Sequence, residues 1–246
     1  MIEGKKFNAV VTDLLKEIEK TQGDKIAQAG EVIGKSLDNG GLLHVFSTGH
    51  SHMIAEEMFY RTGGLFQVDP ILEPSLMLHQ GAMKSTKIER LPGYAKIIAD
   101  SSDLREDESI IIASNSGINS VIVEMAMVAK EKKLNVIAIT SAGTSSKLNP
   151  RHSSGKRLMD VADIVIDNCL NDGDAVMEVP GIEQKTGAVS SITGIYIAQR
   201  IVISVVNEFV KRGKTPPIFM SANVPGGDEH NAQLVAKYGS RIRGLY

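Results

Sequence analysis

Two sets of apolar residues recur at helical spacing near the start of the chain, one before Gly23 and one after it. The first set is Val10, Leu14, Leu15 and Ile18, and the second is Ile26, Ala29, Ile33 and Leu37. Because Asp24 is a favoured N-cap residue, the pattern predicts two helices within 7–38 that are separated at Gly23.

Short apolar runs then alternate with helical patterns. The predicted strands are 42–46, 65–72, 109–113, 135–140 and 162–166, and the predicted helices include 53–62, 121–133 and 186–212. Strands that are apolar on both faces and separated by helices are typical of a parallel sheet covered on both sides. We therefore predict an α/β fold, a three-layer α/β/α sandwich with a mostly parallel, doubly wound sheet of the flavodoxin or Rossmann type.

No linker or repeat divides the chain, so we expect one domain over 1–246, with its core at 42–212. The segment 213–246 combines turn-forming residues with Ile218, Phe219 and Met220. We expect this segment to dock on a subunit, which would let His230 reach an active site, either its own or that of a neighbour. The alternative is a structural docking arm with a helix cap at Asp228.

Composition excludes several classes of protein. The 27 Lys and Arg residues nearly balance the 29 Asp and Glu residues, and aromatic residues make up 4% of the 246. We therefore expect no nucleic-acid partner and no membrane partner. Cys169 is the single cysteine, which excludes an internal disulfide and a Cys-rich zinc site. The start of the chain does not resemble a signal peptide, and we expect a cytoplasmic protein.

Two loops join a predicted strand to a predicted helix with small polar residues and a glycine. They are 47–51 and 114–120. Free backbone N–H groups at a helix N-terminus attract anions, and hydroxyl groups add neutral donors. Each loop is thus suited to bind phosphate, although serine and asparagine at these positions are equally able to cap the helices.

The two loops carry a resemblance to a known family. Thr48-Gly49-His50-Ser51 resembles the first loop of the SIS (sugar isomerase) domain, and 114–119, Ser-Asn-Ser-Gly-Ile-Asn, is similar to its Ser-x-Ser-Gly-x-Thr loop. Asn119 stands where the family commonly has threonine. The resemblance spans about 40–210, and it implies a phosphorylated sugar as ligand, no cofactor, and a homodimer or homotetramer.

The resemblance also implies which residues would bind the phosphosugar. They are Gly49, Ser51, Ser114, Ser116, Gly117, Asn119, Ser120, Ser190, Ser191 and Thr193. The SIS family contains isomerases, a synthase, an etherase and sugar-phosphate-sensing regulators. An aldose–ketose isomerase is our first hypothesis, and a non-catalytic phosphosugar sensor and a phosphosugar lyase or etherase are the alternatives.

Isomerisation needs a base and a group that carries protons to the sugar oxygens. Glu57, on the helix after the first loop, is the candidate base, with a surface ion pair to Arg61 at i,i+4 spacing as the competing interpretation. His50, His52 and His230 are the candidate proton carriers. His52 and Glu56 have the spacing of two metal ligands, but a third ligand is not evident, so we expect no metal.

Overall fold

In the computed structural model, which describes residues 3–246, the chain forms a parallel five-stranded sheet between two layers of helices. The sheet strands are β1 (Leu43–Ser47), β2 (Val68–Ile71), β3 (Ser109–Ala113), β4 (Asn135–Thr140) and β5 (Ile164–Asp167). Their order across the sheet is β2-β1-β3-β4-β5, and every neighbouring pair is parallel. The predicted three-layer, doubly wound α/β/α fold is confirmed.

Nine helices accompany the sheet in the described residues. They are α1 (Gly4–Asp38), α2 (His52–Met58), α3 (Ala82–Ile88), α4 (Tyr94–Asp100), α5 (Ser120–Glu131), α6 (Ala142–Lys147), α7 (Leu158–Val161), α8 (Ser190–Lys211) and α9 (Gly227–Tyr238). A two-stranded antiparallel sheet, β6 (Ala175–Met177) with β7 (Thr186–Ala188), precedes α8.

The strands divide their apolar side chains between the two faces of the sheet. Val45 and Ile111 pack with α1, α2 and α8 on one face, and Phe46 and Ile112 pack with α4, α5 and α7 on the other. This alternation follows from the period-two geometry of a strand. Both faces of the sheet are covered by helices, which explains why the strands are continuous apolar runs in the sequence.

The predicted break at Gly23 is wrong, because α1 is one helix of 35 residues. Glycine inside a helix costs about 1 kcal/mol relative to alanine, and that cost is small beside the packing of one continuous stripe. Ile18, Ile26 and Ile33 are buried in the core layer that α1 shares with α8. Tertiary packing therefore decides the length of the helix.

Three other predicted boundaries move. The helix predicted over 53–62 ends at Met58, since Phe59 is extended and Tyr60 has a φ of +48°. The strand predicted over 65–72 spans Val68–Ile71 only. The helix predicted over 186–212 begins at Ser190, because the carboxylate of Asp174 accepts hydrogen bonds from the first backbone N–H groups and 186–188 forms β7.

A network of charged side chains closes the amino edge of the sheet. His44 of β1 is fully buried; its Nδ1 lies 3.1 Å from Oδ2 of Asp69 and its Nε2 lies 2.9 Å from Oε2 of Glu108. Arg241 donates to the other oxygen of Glu108 at 2.7 Å, and the backbone N–H of Arg243 donates to Asp69. The C-terminal segment is thereby joined to β2 and to the residue before β3.

The charges of this network stabilise one another. Burial alone would lower the pKa of His44, but hydrogen bonds to Asp69 and Glu108 outweigh it and raise the pKa. Burial opposes ionisation of Glu108, yet hydrogen bonds from His44 and Arg241 lower its pKa to about 2 from 4.5. The raised pKa of His44 and the lowered pKa of Glu108 therefore favour the charged forms of this contacting pair.

We expect Glu108→Gln to lower the free energy of unfolding by about 3 kcal/mol near pH 6, the equivalent of the shift in the Glu108 pKa. The lowered pKa stabilises the fold fully above pH 4.5, and this stabilisation is lost as the pH falls towards 2. Urea unfolding at several pH values should therefore show the wild type and the variant converging in acid. The control is Glu106→Gln, since Glu106 belongs to an exposed pair with Lys133. Equal effects of both substitutions would contradict the importance of the buried network.

Glycine positions in α1 give a matched pair of substitutions. A Cβ on Gly30 would lie closer than 3.0 Å to Ser204 of α8, including its Cβ and backbone carbon, whereas a Cβ on Gly23 meets no atom within 4 Å. We expect Gly30→Ala to destabilise the protein by about 1–3 kcal/mol. Gly23→Ala should stabilise it by about 0.5–1 kcal/mol. Urea unfolding of both variants tests the close packing of α1 on α8, and a stabilising Gly30→Ala would contradict it.

Candidate functional site

The candidate site lies where the order of the strands reverses. From β1 the chain continues to β2 on one side, and then passes to β3 on the other side of β1. The carboxyl ends of β1 and β3 therefore flank a topological switch point, where open α/β sheets bind their ligands. The two predicted loops, 47–51 and 114–120, follow these two strands.

Gly117 shapes the second loop. It has a φ of +62°, and its N–H donates to Oγ of Ser114 at 3.1 Å. Its carbonyl accepts from the N–H of Leu158, and a Cβ at Gly117 would lie 3.2 Å from Cβ of Leu158 and from Oγ1 of Thr140. The loop is held against β4 and α7 at the one position that only glycine fits without strain.

This loop presents unused donors. The backbone N–H groups of Asn115, Ser116, Ile118 and Asn119 donate no hydrogen bond to another group among residues 3–246. Asn119 is the N-cap residue of α5, yet its side chain does not cap that helix and accepts instead from Arg151 at 2.7 Å. Free N–H groups at the positive end of a helix form a binding surface for an anion.

The first loop is tied down by its own side chains. Oγ of Ser47 donates to the carbonyl of Ser51 at 2.8 Å, and Gly49 has a φ of +57° in a short 3₁₀ turn. His50 is exposed, while Ser51 is half-buried. The turn brings residues 49–51 to the start of α2 and into contact with α8.

His52 is buried rather than open to solvent. Its Nδ1 lies 3.3 Å from the carbonyl of Gly49, and its Nε2 has no hydrogen-bond partner among the described residues. Burial lowers the pKa of His52 to about 4, so the imidazole is neutral at pH 7. A neutral Nδ1–H donor to Gly49 supports the left-handed turn of the loop.

The structure adds a carboxylate that the sequence did not suggest. Glu89, just after α3, accepts a hydrogen bond from Oγ1 of Thr48 at 2.9 Å, and its backbone carbonyl accepts from the N–H of Val121 in α5. Glu89 therefore joins the first loop to the start of α5, next to the second loop. Nothing in the irregular stretch around it, which has no motif, indicated this position.

Glu57 has both carboxylate oxygens engaged. Oε1 accepts from Gln199 of α8 at 2.8 Å, and Oε2 lies 3.0 Å from Arg61. The competing interpretation of Glu57, an ion pair with Arg61, is present in the structure. Glu57 thus joins α2 to α8.

The serines and threonine of α8 lie at its first turn. Ser190 and Ser191 are half-buried, and Ser190 donates its backbone N–H to Asp174. Thr193 is fully buried, and its hydroxyl donates to the carbonyls of Val189 and Ser190. The first turn of α8 is therefore partly occupied by Asp174, which leaves the second loop with the larger set of free donors.

His230 lies away from the loops of its own chain. Its Nε2 lies 2.9 Å from the carbonyl of Ile218, within the C-terminal segment. That segment packs on Leu42 and Phe66, which precede β1 and β2, at the amino edge of the sheet. The expected contact of His230 with an active site therefore does not occur within the chain, because hydrogen bonding and apolar packing hold the segment at the opposite edge.

Residues 3–246 contain no group of three or more His, Cys, Asp or Glu side chains arranged to hold a metal ion. No helix over the same residues is both long enough and apolar enough to cross a membrane.

Gly117→Ala tests the shape of the second loop. We expect it to lower the free energy of unfolding by more than Gly155→Ala, because Gly155 has a similar φ of +69° but open space around it. The left-handed backbone costs a non-glycine residue about 1–2 kcal/mol in both variants, and crowding adds to the cost at Gly117 alone. Urea unfolding measures the difference, and equal losses would show that the loop tolerates a Cβ at Gly117.

The chain is similar over most of its length to several bacterial proteins. It is 43% identical over 229 residues to UPF0309 protein lin2794 of Listeria innocua, covering 93% of each chain. It is 43% identical over 242 residues to UPF0309 protein Teth39_1980 of Thermoanaerobacter pseudethanolicus, covering 96% of this chain and 98% of the relative.

Solved structures share the fold at low sequence identity. A phosphoheptose isomerase from Francisella tularensis superposes with a TM-score of 0.57 at 17% identity, over 84% of this chain and 100% of that one. The Vibrio vulnificus NanR protein, complexed with ManNAc-6P, gives a TM-score of 0.56 at 14% identity, over 94% of this chain and 68% of that one.

The model of the SIS domain matches residues 6–141, a range that includes most of α1, the first four strands and both loops of the candidate site. This match covers more than half of the chain. The chain belongs to the SIS domain family.

Proposed function

We propose that this protein binds a sugar phosphate or amino-sugar phosphate between its two loops and interconverts the aldose and ketose forms of that sugar. The observation that carries the proposal is the set of unused backbone N–H groups of Asn115, Ser116, Ile118 and Asn119, at the N-terminus of α5 and the switch point of the sheet. Such a set attracts a phosphate group through hydrogen bonds and the helix dipole together.

The relatives support the same class of ligand. One solved structure that shares the fold is named as a phosphoheptose isomerase, and another is complexed with ManNAc-6P. The name of the first protein favours an isomerase. The second protein shares the fold and is complexed with a phosphorylated amino sugar.

Glu89 is the carboxylate that we assign as the general base. Isomerisation removes a proton from C2 of the aldose and returns it to C1, while a second proton moves from O2 to O1, so that no atom is gained or lost. The base must lie beside the bound sugar. Glu89 contacts the first loop through Thr48, and its carbonyl contacts Val121 in the first turn of α5, next to the second loop, whereas Glu57 faces α8.

A phosphosugar sensor is the second candidate function. It is favoured by the engagement of Glu57 with Arg61 and Gln199, and by the buried, neutral state of His52. In a sensor the loops would bind the phosphate, and no carboxylate would act on the sugar. Binding and turnover must therefore be measured separately.

Thermal unfolding tests binding. The protein is heated with arabinose 5-phosphate, N-acetylmannosamine 6-phosphate and other sugar phosphates, each beside its unphosphorylated sugar. A ligand at about 100 times its Kd stabilises the fold by about 2.7 kcal/mol. We expect stabilisation by phosphorylated sugars alone. If no phosphorylated sugar shifts the transition, the proposed ligand class is wrong.

Turnover of the binding sugar then separates an isomerase from a sensor. General acid–base catalysis contributes about 10²- to 10⁴-fold, so Glu89→Gln should lower kcat by at least about 100-fold while the sugar phosphate still binds. Glu57→Gln is the matched carboxylate control and should retain most of kcat. If the wild type binds the sugar phosphate but does not convert it, the protein is a sensor. If kcat falls further in Glu57→Gln than in Glu89→Gln, Glu57 rather than Glu89 is the base.

A further inference from the structure

We infer that Arg151, which lies beside the second loop, supplies the positive charge that selects a phosphate group as the ligand. The inference rests on the proposed function, which supplies the phosphorylated ligand, and it assigns a role to a residue outside the 6–141 range of the family match. Arg151 lies between α6 and α7, 31 residues beyond the start of α5 at Ser120.

The backbone holds Arg151 beside the loop. Its N–H donates to the carbonyl of Ile118 at 3.0 Å, and seven residues later the N–H of Leu158 donates to the carbonyl of Gly117 at 2.8 Å. The segment 151–158 is therefore anchored at both ends to neighbouring carbonyls of one loop. Because both contacts use carbonyls, they leave the N–H groups of Asn115, Ser116, Ile118 and Asn119 free for a ligand.

The charge of Arg151 is not neutralised by a carboxylate. Its guanidinium donates to Oδ1 of Asn119, a neutral amide oxygen, and forms no salt bridge within residues 3–246. Six of the nine arginines of the chain do have carboxylate partners. They are Arg61, Arg105, Arg157, Arg200, Arg212 and Arg241.

Two buried residues of the second loop, Asn119 and Ser114, have side-chain donors that are not used. Asn119 is 7% exposed, and with Oδ1 bonded to Arg151 its Nδ2 has no partner among the described residues. Ser114 is 8% exposed; its Oγ accepts from Gly117, and its own hydroxyl proton has no acceptor in the same range. Both donors are thus available to an oxygen of a ligand.

The set of groups fits a phosphate monoester better than a neutral sugar oxygen. A guanidinium, an amide, a hydroxyl and backbone N–H groups all donate, and a phosphate offers three terminal oxygens that only accept. Arg151 supplies the one formal positive charge of the set. It would therefore favour the dianionic form of the phosphate over the monoanion and over a hydroxyl group.

The experiment compares wild type, Arg151→Gln, Arg151→Lys and Lys156→Gln. Isothermal titration uses inorganic phosphate, arabinose 5-phosphate and N-acetylmannosamine 6-phosphate. Lys156 is the control, because it is exposed, lies in the same segment and makes no side-chain hydrogen bond in the described structure. Thermal unfolding without ligand shows whether each variant is folded.

We expect Arg151→Gln to weaken binding of the phosphorylated probes by about 10- to 100-fold, the range expected for a charged hydrogen bond. Arg151→Lys should recover part of the affinity, and Lys156→Gln should stay within about 2-fold of wild type. Wild-type affinity should rise between about pH 5 and pH 7 as the phosphate loses its second proton, whose pKa is about 6. That rise should flatten in Arg151→Gln, which a merely structural role would not produce.

The outcomes separate this inference from the proposed function. If Arg151→Gln binds the sugar phosphates as tightly as wild type, or if Arg151→Lys binds as poorly as Arg151→Gln, the assignment to Arg151 is overturned and the proposed function stands. If wild type binds inorganic phosphate through Arg151 but no sugar phosphate, the assignment stands and the function is overturned. If wild type binds none of the three probes, both are overturned.

Discussion

The reversal of strand order between β1 and β3 is the constraint on which the site depends. Parallel strands need helical crossovers, and crossovers that leave β1 in one direction and reach β3 in the other leave a crevice at the carboxyl ends between them. The loops after β1 and β3 border this crevice. Glu89 accepts hydrogen bonds from Thr48 in the first loop and from Val121, just after the second. The positions of the polar groups thus follow from how the chain winds, and their chemistry follows from the residues that occupy the two loops.

The polar groups at the two edges of the sheet differ in whether they find partners within the protein. At the amino edge, His44, Asp69, Glu108 and Arg241 form one chain of contacts, which fixes the C-terminal segment. At the carboxyl edge, the guanidinium of Arg151 forms no salt bridge within residues 3–246, and four backbone N–H groups of 114–120 donate no hydrogen bond there. A closed network at one edge stabilises the fold, and an open set of donors at the other leaves room for a ligand.

The layered fold and the two loops were predictable because they depend on local patterns. Continuous apolar strands and strand–loop–helix junctions are visible in the residues themselves. The length of α1 was not predictable from Gly23, since packing on α8 outweighs the local preference of one glycine. The places of Glu89 and Arg151 could not be predicted either. Glu89 contacts the first loop, and Arg151 the second, through a residue more than thirty positions away in the sequence.

The unused hydrogen-bond donors of 114–120 affect both the stability of the loop and its capacity to bind the proposed ligand. A substitution that satisfied Asn119 or Ser114 internally would remove a source of local frustration, but it would also remove a contact intended for the ligand. Stability and affinity for the proposed ligand are therefore coupled in this loop, and variants selected only for thermal stability would tend to lose binding.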